Sequence, residues 1–192
     1  MNRLADFDSV KVVKHENQPQ LTPGAHGCQI VKAECVTEEY DGVKYEKLYV
    51  YFDIREGGRF DNYYENKFKL RKQYNSNVKW GGILKQPIKA TDGSTSPYFK
   101  GLITSVEESN PGYSWQWDER TLGGKKVGIV FREKEFKGND GNIYTTVEPC
   151  WSCSIDSLAD QAIPRKKTLD RGTPTMESMG FTPDNSERLP WE

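Results

Sequence analysis

The sequence predicts an all-β domain with one short helix, built as a five-stranded, partly open barrel of the OB type and followed by a disordered C-terminal tail. Three observations lead there. Apolar and polar residues alternate in runs of strand length. Turns rich in Gly, Asp and Asn separate those runs. One helically spaced segment falls between the third and fourth of them. Other small barrels share this layout in outline. Across the 192 residues, 35% are hydrophobic and 12% aromatic, enough for a compact aromatic-rich core.

The elements follow in order. Residues 1–24 form an N-terminal extension, with one extended-looking piece, FDSVKVV, and then a loop. A domain over 25–160 begins with CQIVKAECVTEEY, a strand whose alternation slips near Val31, as a bulge causes. Asp41-Gly42 marks a hairpin turn. YEKLYVYFDIR is the clearest strand: Leu48, Val50, Phe52 and Ile54 fall on one face, and Tyr45, Lys47, Tyr49, Tyr51, Asp53 and Arg55 on the other. RFDNYYENKFKL reads as a third strand, with Phe60, Tyr64 and Phe68 on one side and Arg59, Tyr63, Lys67 and Lys69 on the other. The following KWGGILKQPIKATDGSTSPYF, broken by Gly, Pro and Ser, reads as an irregular connection.

A helix starts within that connection. Ser96 caps it, Pro97 occupies the first turn, and Phe99, Leu102, Ile103 and Val106 carry the helical spacing. After the loop PGYSWQW, KKVGIVFREKEF and NIYTTVEPCWSCSI form two more strands around the hairpin signal KGNDGN. SIDSLAD gives a short helical turn. Residues 161–192 form a flexible tail, Pro-, Thr- and charge-rich from 164 on and without apolar period, whose tip is DNSERLPWE.

Net charge is −1 and the pI is near 6.2, so a basic surface has to be local. One exists: residues 59–74 hold five basic and two acidic side chains. With the outward face of the clearest strand, this gives a set of aromatics interleaved with cations: Lys47, Tyr49, Tyr51, Arg55, Arg59, Tyr63, Lys67, Lys69 and Arg71. Bases of a single strand stack on such rings for about 1–3 kcal/mol each while cations follow the phosphates. The plainer account is that tyrosines favour strands and lysines solvate an outer face.

Other chemistries find less support. CWSC at Cys150–Cys153 lacks a second knuckle, and its two thiols point to opposite faces of a strand, so structural reduced cysteines are expected and no metal or cofactor is assigned. His15 and His26 have no nucleophile pattern beside them, and no catalytic residue is assigned. Asp53, Glu56, Asp61 and Glu65 are the residues a Mg²⁺-dependent nuclease or resolvase would use, the alternative enzymatic reading. A protein adaptor without nucleic-acid contact is a third. Trp115 and Trp117, two apart, cannot both face inward in an extended loop. No apolar run approaches the roughly 20 residues of a membrane span, and no signal-peptide pattern opens the chain; a cytoplasmic protein without a membrane partner is expected.

Several stretches together resemble a family of small phage and prophage single-stranded DNA-binding proteins of Firmicutes: LTPGAHGCQIVKAE, YVYFDIREGG, YFKGLITSVEESNPGYSWQWDE, LGGKKVGIVFREKEFKGNDGNIYTT and the terminal LPWE. The resemblance runs over roughly residues 20–160 and the last few. It implies an OB-fold that binds single-stranded DNA without sequence preference, in phage replication or recombination. It also implies that the tail tip, with Leu189, Pro190 and Trp191 as anchors, recruits replication or recombination proteins. Self-association into a homo-oligomer stays open.

Overall fold

The computed structural model describes residues 3–10 and 19–169. Five strands make one antiparallel sheet: β1 (Gly24–Tyr40), β2 (Val43–Ile54), β3 (Ile83–Pro87), β4 (Lys126–Lys137) and β5 (Ile143–Cys153). Their order is β3-β2-β1-β4-β5, and the edge strands β3 and β5 curl towards each other without a ladder between them. The architecture is therefore all-β and OB-like, with the sheet not closed. Helix α1 (Tyr63–Lys72) joins β2 to β3, and α2 (Pro97–Ser109) joins β3 to β4.

β1 is long because it serves two partners. It pairs with β4 over Gly24–Gln29 and with β2 over Cys28–Tyr40, and the register shifts between Ile30 and Lys32. Val31 is the extra residue, as the slipped alternation predicts. Asp41 and Gly42 close the β1–β2 hairpin with φ of 50° and 76°, the left-handed pair a two-residue turn needs. Beyond the shared segment, β1–β2 and β4–β5 leave the sheet in opposite directions as two hairpin arms, because β1 and β4 run antiparallel.

The inward residues Leu48, Val50, Phe52 and Ile54 of β2 are each at most 1% exposed, as their alternation predicts. They meet Ile30, Val127, Ile129 and Phe131 from the neighbouring strands. α2 closes this core against β3, β4 and β5 with Phe99, Leu102, Ile103 and Val106. Its first turn is capped as expected: the Ser96 hydroxyl accepts from the Phe99 N–H, and Pro97 needs no partner there.

Residues 59–70 do not form a strand. Tyr63–Lys72 is helix, and the third strand is Ile83–Pro87, inside the stretch expected to be irregular. The misleading signal was a four-residue spacing. Phe60, Tyr64 and Phe68 share a face at either the strand or the helix period. A tertiary contact decides between them: buried Asp53 of β2 accepts from the backbone N–H groups of Tyr64 (2.8 Å) and Glu65 (3.1 Å), a cap supplied from outside the helix. Gly82 then lets the chain cross tightly, since a Cβ there would lie 2.3 Å from the Phe52 carbonyl oxygen and 2.8 Å from the Tyr64 ring.

Two expectations about the ends also change. Of the extended-looking FDSVKVV, residues 7–10 form turns and residues 11–13 lie outside the described residues. The start of the predicted flexible tail is ordered: Lys167 makes a parallel bridge to Lys134, with backbone bonds to Glu133 and Glu135 of 2.8 Å each. It covers the edge of β4 left vacant where β1 begins. Residues 170–192 lie outside the described residues, and with them Leu189, Pro190 and Trp191.

Candidate nucleic-acid interface

Leu48, Val50 and Phe52 anchor β2 in the core, so the residues between them must face outward. Tyr49 lies in register between Glu34 of β1 and Lys85 of β3; Tyr51 lies between Lys32 and Ile83; Lys47 lies between Val36 and Pro87. The face therefore has two tyrosine rings at its centre and lysines on both flanking strands.

Its polar groups hold one another. The Tyr51 hydroxyl donates to Glu34 at 2.5 Å, and Lys32 donates to the same carboxylate at 2.9 Å while lying 4.2 Å above the Tyr51 ring. The Tyr49 hydroxyl donates to Glu38, which also accepts from Lys47 (2.5 Å) and Lys85 (3.2 Å). Lys85 lies 4.5 Å above the Tyr49 ring. The Tyr51 and Lys32 hydrogen bonds hold the Glu34 carboxyl below the usual carboxylate range. The Lys47 bond does the same for Glu38, opposed by burial and helped by Lys85. The Tyr51 phenol is pushed up by its bond to the Glu34 carboxylate. At neutral pH the face thus carries ionised Glu34 and Glu38 beside the neutral Tyr51 phenol. Chemically it offers oriented π-surfaces and cations that can exchange a carboxylate for a phosphate.

The other predicted site residues do not join this face as strand neighbours, because they sit on or beside α1. Arg55 pairs with Glu65 at 3.2 Å, and Lys69 pairs with the same glutamate at 2.6 Å. Arg59 lies 5.8 Å over the Phe60 ring. Tyr63 is half-buried against Tyr64 (ring centroids 5.0 Å apart), with Lys67 5.2 Å over its ring. Tyr63 and Lys67 line a recess shared with Leu21, Glu133, Thr145 and Val147. Arg71 is exposed in the last helical turn.

Sequence reasoning missed Lys32, Glu34, Glu38 and Lys85. The first three lie beyond the Val31 bulge, where the phase of β1 changes, and Lys85 lies on the strand hidden among glycines and prolines. It missed the outer face of the β4–β5 arm as well, where exposed Phe136 and Tyr144 sit 5.8 Å apart. The tryptophan expectation fits: Trp115 packs against the core, while Trp117 is 74% exposed with a φ of 61°.

The four acids of the nuclease alternative each have other partners. Asp53 caps α1; Asp61 accepts from the N–H groups of Glu56 and Gly57; Glu65 holds Arg55 and Lys69. Glu56 faces Nδ1 of buried His26 at 3.2 Å, while Nε2 of that ring lies 3.0 Å from the Thr22 carbonyl. Among the described residues no three His, Cys, Asp or Glu side chains converge as a metal site, and all four cysteines are free thiols. No described helix is long and apolar enough to cross a membrane. No protein-family model matches this sequence, and no curated protein matches it.

Proposed function

We propose that this chain binds single-stranded DNA without sequence preference, coating it during phage or prophage replication or recombination, and that it is not an enzyme. The observation that carries the reading is the Tyr49–Tyr51 pair on the second strand of an OB-like sheet, flanked in register by Lys32 on the first strand and Lys85 on the third. That is the face on which OB-folds take oligonucleotides. Bases stack on the two rings, and Lys32, Lys47 and Lys85 turn to the phosphates. The resemblance of the sequence to phage single-stranded DNA-binding proteins supports the biological setting. It also supports a recruiting role for the tip around Leu189, Pro190 and Trp191, in a host-cell cytoplasm.

Titration of a labelled dT oligonucleotide in EDTA, repeated across a salt series, tests the reading. The expected result is a mobility shift without cleavage, with log K falling by about 0.7 per phosphate neutralised. Tyr49→Ala or Tyr51→Ala should each weaken binding by about 1–3 kcal/mol. Mg²⁺-dependent cleavage supports the nuclease alternative, and no shift at low salt supports an adaptor.

A further inference from the structure

The outward face does not stop at β1. Gln29 pairs with Asp53 on one side and with Lys126 on the other, and the neighbours Cys28 and Val127 are buried inward. Gln29 and Lys126 therefore share the outward side with Tyr51 and Lys32. Two strand spacings separate β2 from β4, about 10 Å. Lys126 in turn forms part of an open recess of about 410 Å³ with Asn110, Tyr113 and Lys125. That volume lies in the range of ordinary ligand sites.

Three features of this recess point to an anionic, aromatic-bearing ligand. Lys125 lies 4.3 Å over the Tyr113 ring, repeating the geometry of Lys32 over Tyr51 and Lys85 over Tyr49. The ring is fixed, since its hydroxyl is bonded to Thr121 at 2.8 Å and it packs against the core. And whereas Lys32, Lys47 and Lys85 are each held by a glutamate, neither Lys125 nor Lys126 makes an ion pair among the described residues. The wall beneath is rigid: the Asn110 side chain bonds both the N–H and the carbonyl of Lys126, at 3.0 and 2.8 Å.

We infer that this recess is a second station of the same binding path. A single strand stacked on Tyr49 and Tyr51 continues across β1 past Gln29, delivers phosphates to Lys125 and Lys126, and rests a base at Tyr113. The inference rests on the single-strand reading and extends it to a defined route.

The test uses the full chain and two dT oligonucleotides, of about 5 and about 16 nucleotides, spanning the site sizes of OB domains. In Lys125→Gln/Lys126→Gln the longer oligonucleotide should lose about 1.4 from the salt slope, as two lost phosphate contacts require, while the shorter one binds as to wild type. Tyr113→Leu, which keeps an apolar side chain in the wall, should weaken the longer one by about 5- to 150-fold. An unchanged slope on the longer oligonucleotide, with wild type binding normally, overturns the route. So does an equal loss on both lengths, which would put these lysines at the near end. If wild type binds neither length, the single-strand reading itself fails.

Discussion

Glu38 accepts hydrogen bonds from Lys47, Tyr49 and Lys85, so a phosphate arriving at those lysines meets an anion already in place. The glutamate orients the Tyr49 ring and also competes for its cations. Glu38→Gln should therefore raise single-strand affinity and steepen the salt slope by up to about 1.4, as two lysines become available to phosphate; a weaker-binding variant would show that ring orientation matters more than competition. The same exchange follows pH. Glu34 and Glu38 titrate below their ordinary value, so their contribution to folding is whole above about pH 4.3 and is lost as pH falls through the lower folded-state value. Over that acidic window affinity for dT, whose bases do not protonate there, should rise in wild type and stay flat in the Glu34→Gln/Glu38→Gln double variant. Fluorescence anisotropy at a series of pH values reads both curves.

At the scale of elements, α1 shows how a tertiary contact overrides a local pattern. Its charged sequence offers a weak apolar stripe, and its N-terminus borrows Asp53 from β2 to satisfy the N–H groups of Tyr64 and Glu65. Asp53→Ala should cost about 1–3 kcal/mol, because donors inside the fold lose their partner, and should free the helix from the sheet. Urea unfolding gives the magnitude, and hydrogen exchange at Tyr64 and Glu65 shows whether the loss is local. What was legible in the sequence follows the same logic. β2, α2 and the β1–β2 turn were readable because burial, capping and turn chemistry all lie within a few residues of one another. α1 and β3 were not, because Asp53 is 11 residues from Tyr64 and the close approach of Gly82 to Phe52 spans 30 positions. The site was half legible for that reason: Lys47, Tyr49 and Tyr51 lie on the clearest strand, while Lys32, Glu34 and Glu38 lie past the bulge of β1, where the alternation changes phase, and Lys85 lies on the unread β3.

For the molecule as a whole, the chain just after Asp160 belongs to the fold. It closes the free edge of β4, with Lys166 paired to Glu135 at 3.1 Å and Lys167 bonded to the strand backbone. A protein ending at Pro164 should thus be destabilised by about 1–4 kcal/mol, the net of two backbone hydrogen bonds and an ion pair, and should aggregate through the uncovered edge. Deleting only residues 182–192 should leave the melting temperature unchanged and DNA affinity equal or higher, while capture of replication proteins from infected-cell lysate is lost. A lower melting temperature for that shorter deletion would place Trp191 in the core.

The bulge at Val31 acts as a half-period shift in how β1 is read. Upstream of it odd-numbered residues such as Gln29 look outward; downstream it is the even-numbered Lys32, Glu34 and Glu38. The extra residue absorbs that shift, so its removal leaves the faces where they are: Lys32 would follow inward Ile30 directly and stay outward beside Tyr51, with Ala33 still inward. What goes is the local bend and added twist of a bulged strand. One residue inserted between Ala33 and Glu34 does the opposite, turning Glu34 and Glu38 to the core side of the strand and Cys35 to the outer side, with the tight Asp41-Gly42 turn offering no slack to correct it. A chain lacking Val31 should therefore keep its fold and its β1–β2 pairing, whereas the insertion should lose folded protein as well as binding; circular dichroism and the oligonucleotide titration separate the two cases. In this arm the number of residues carries information that their identities do not.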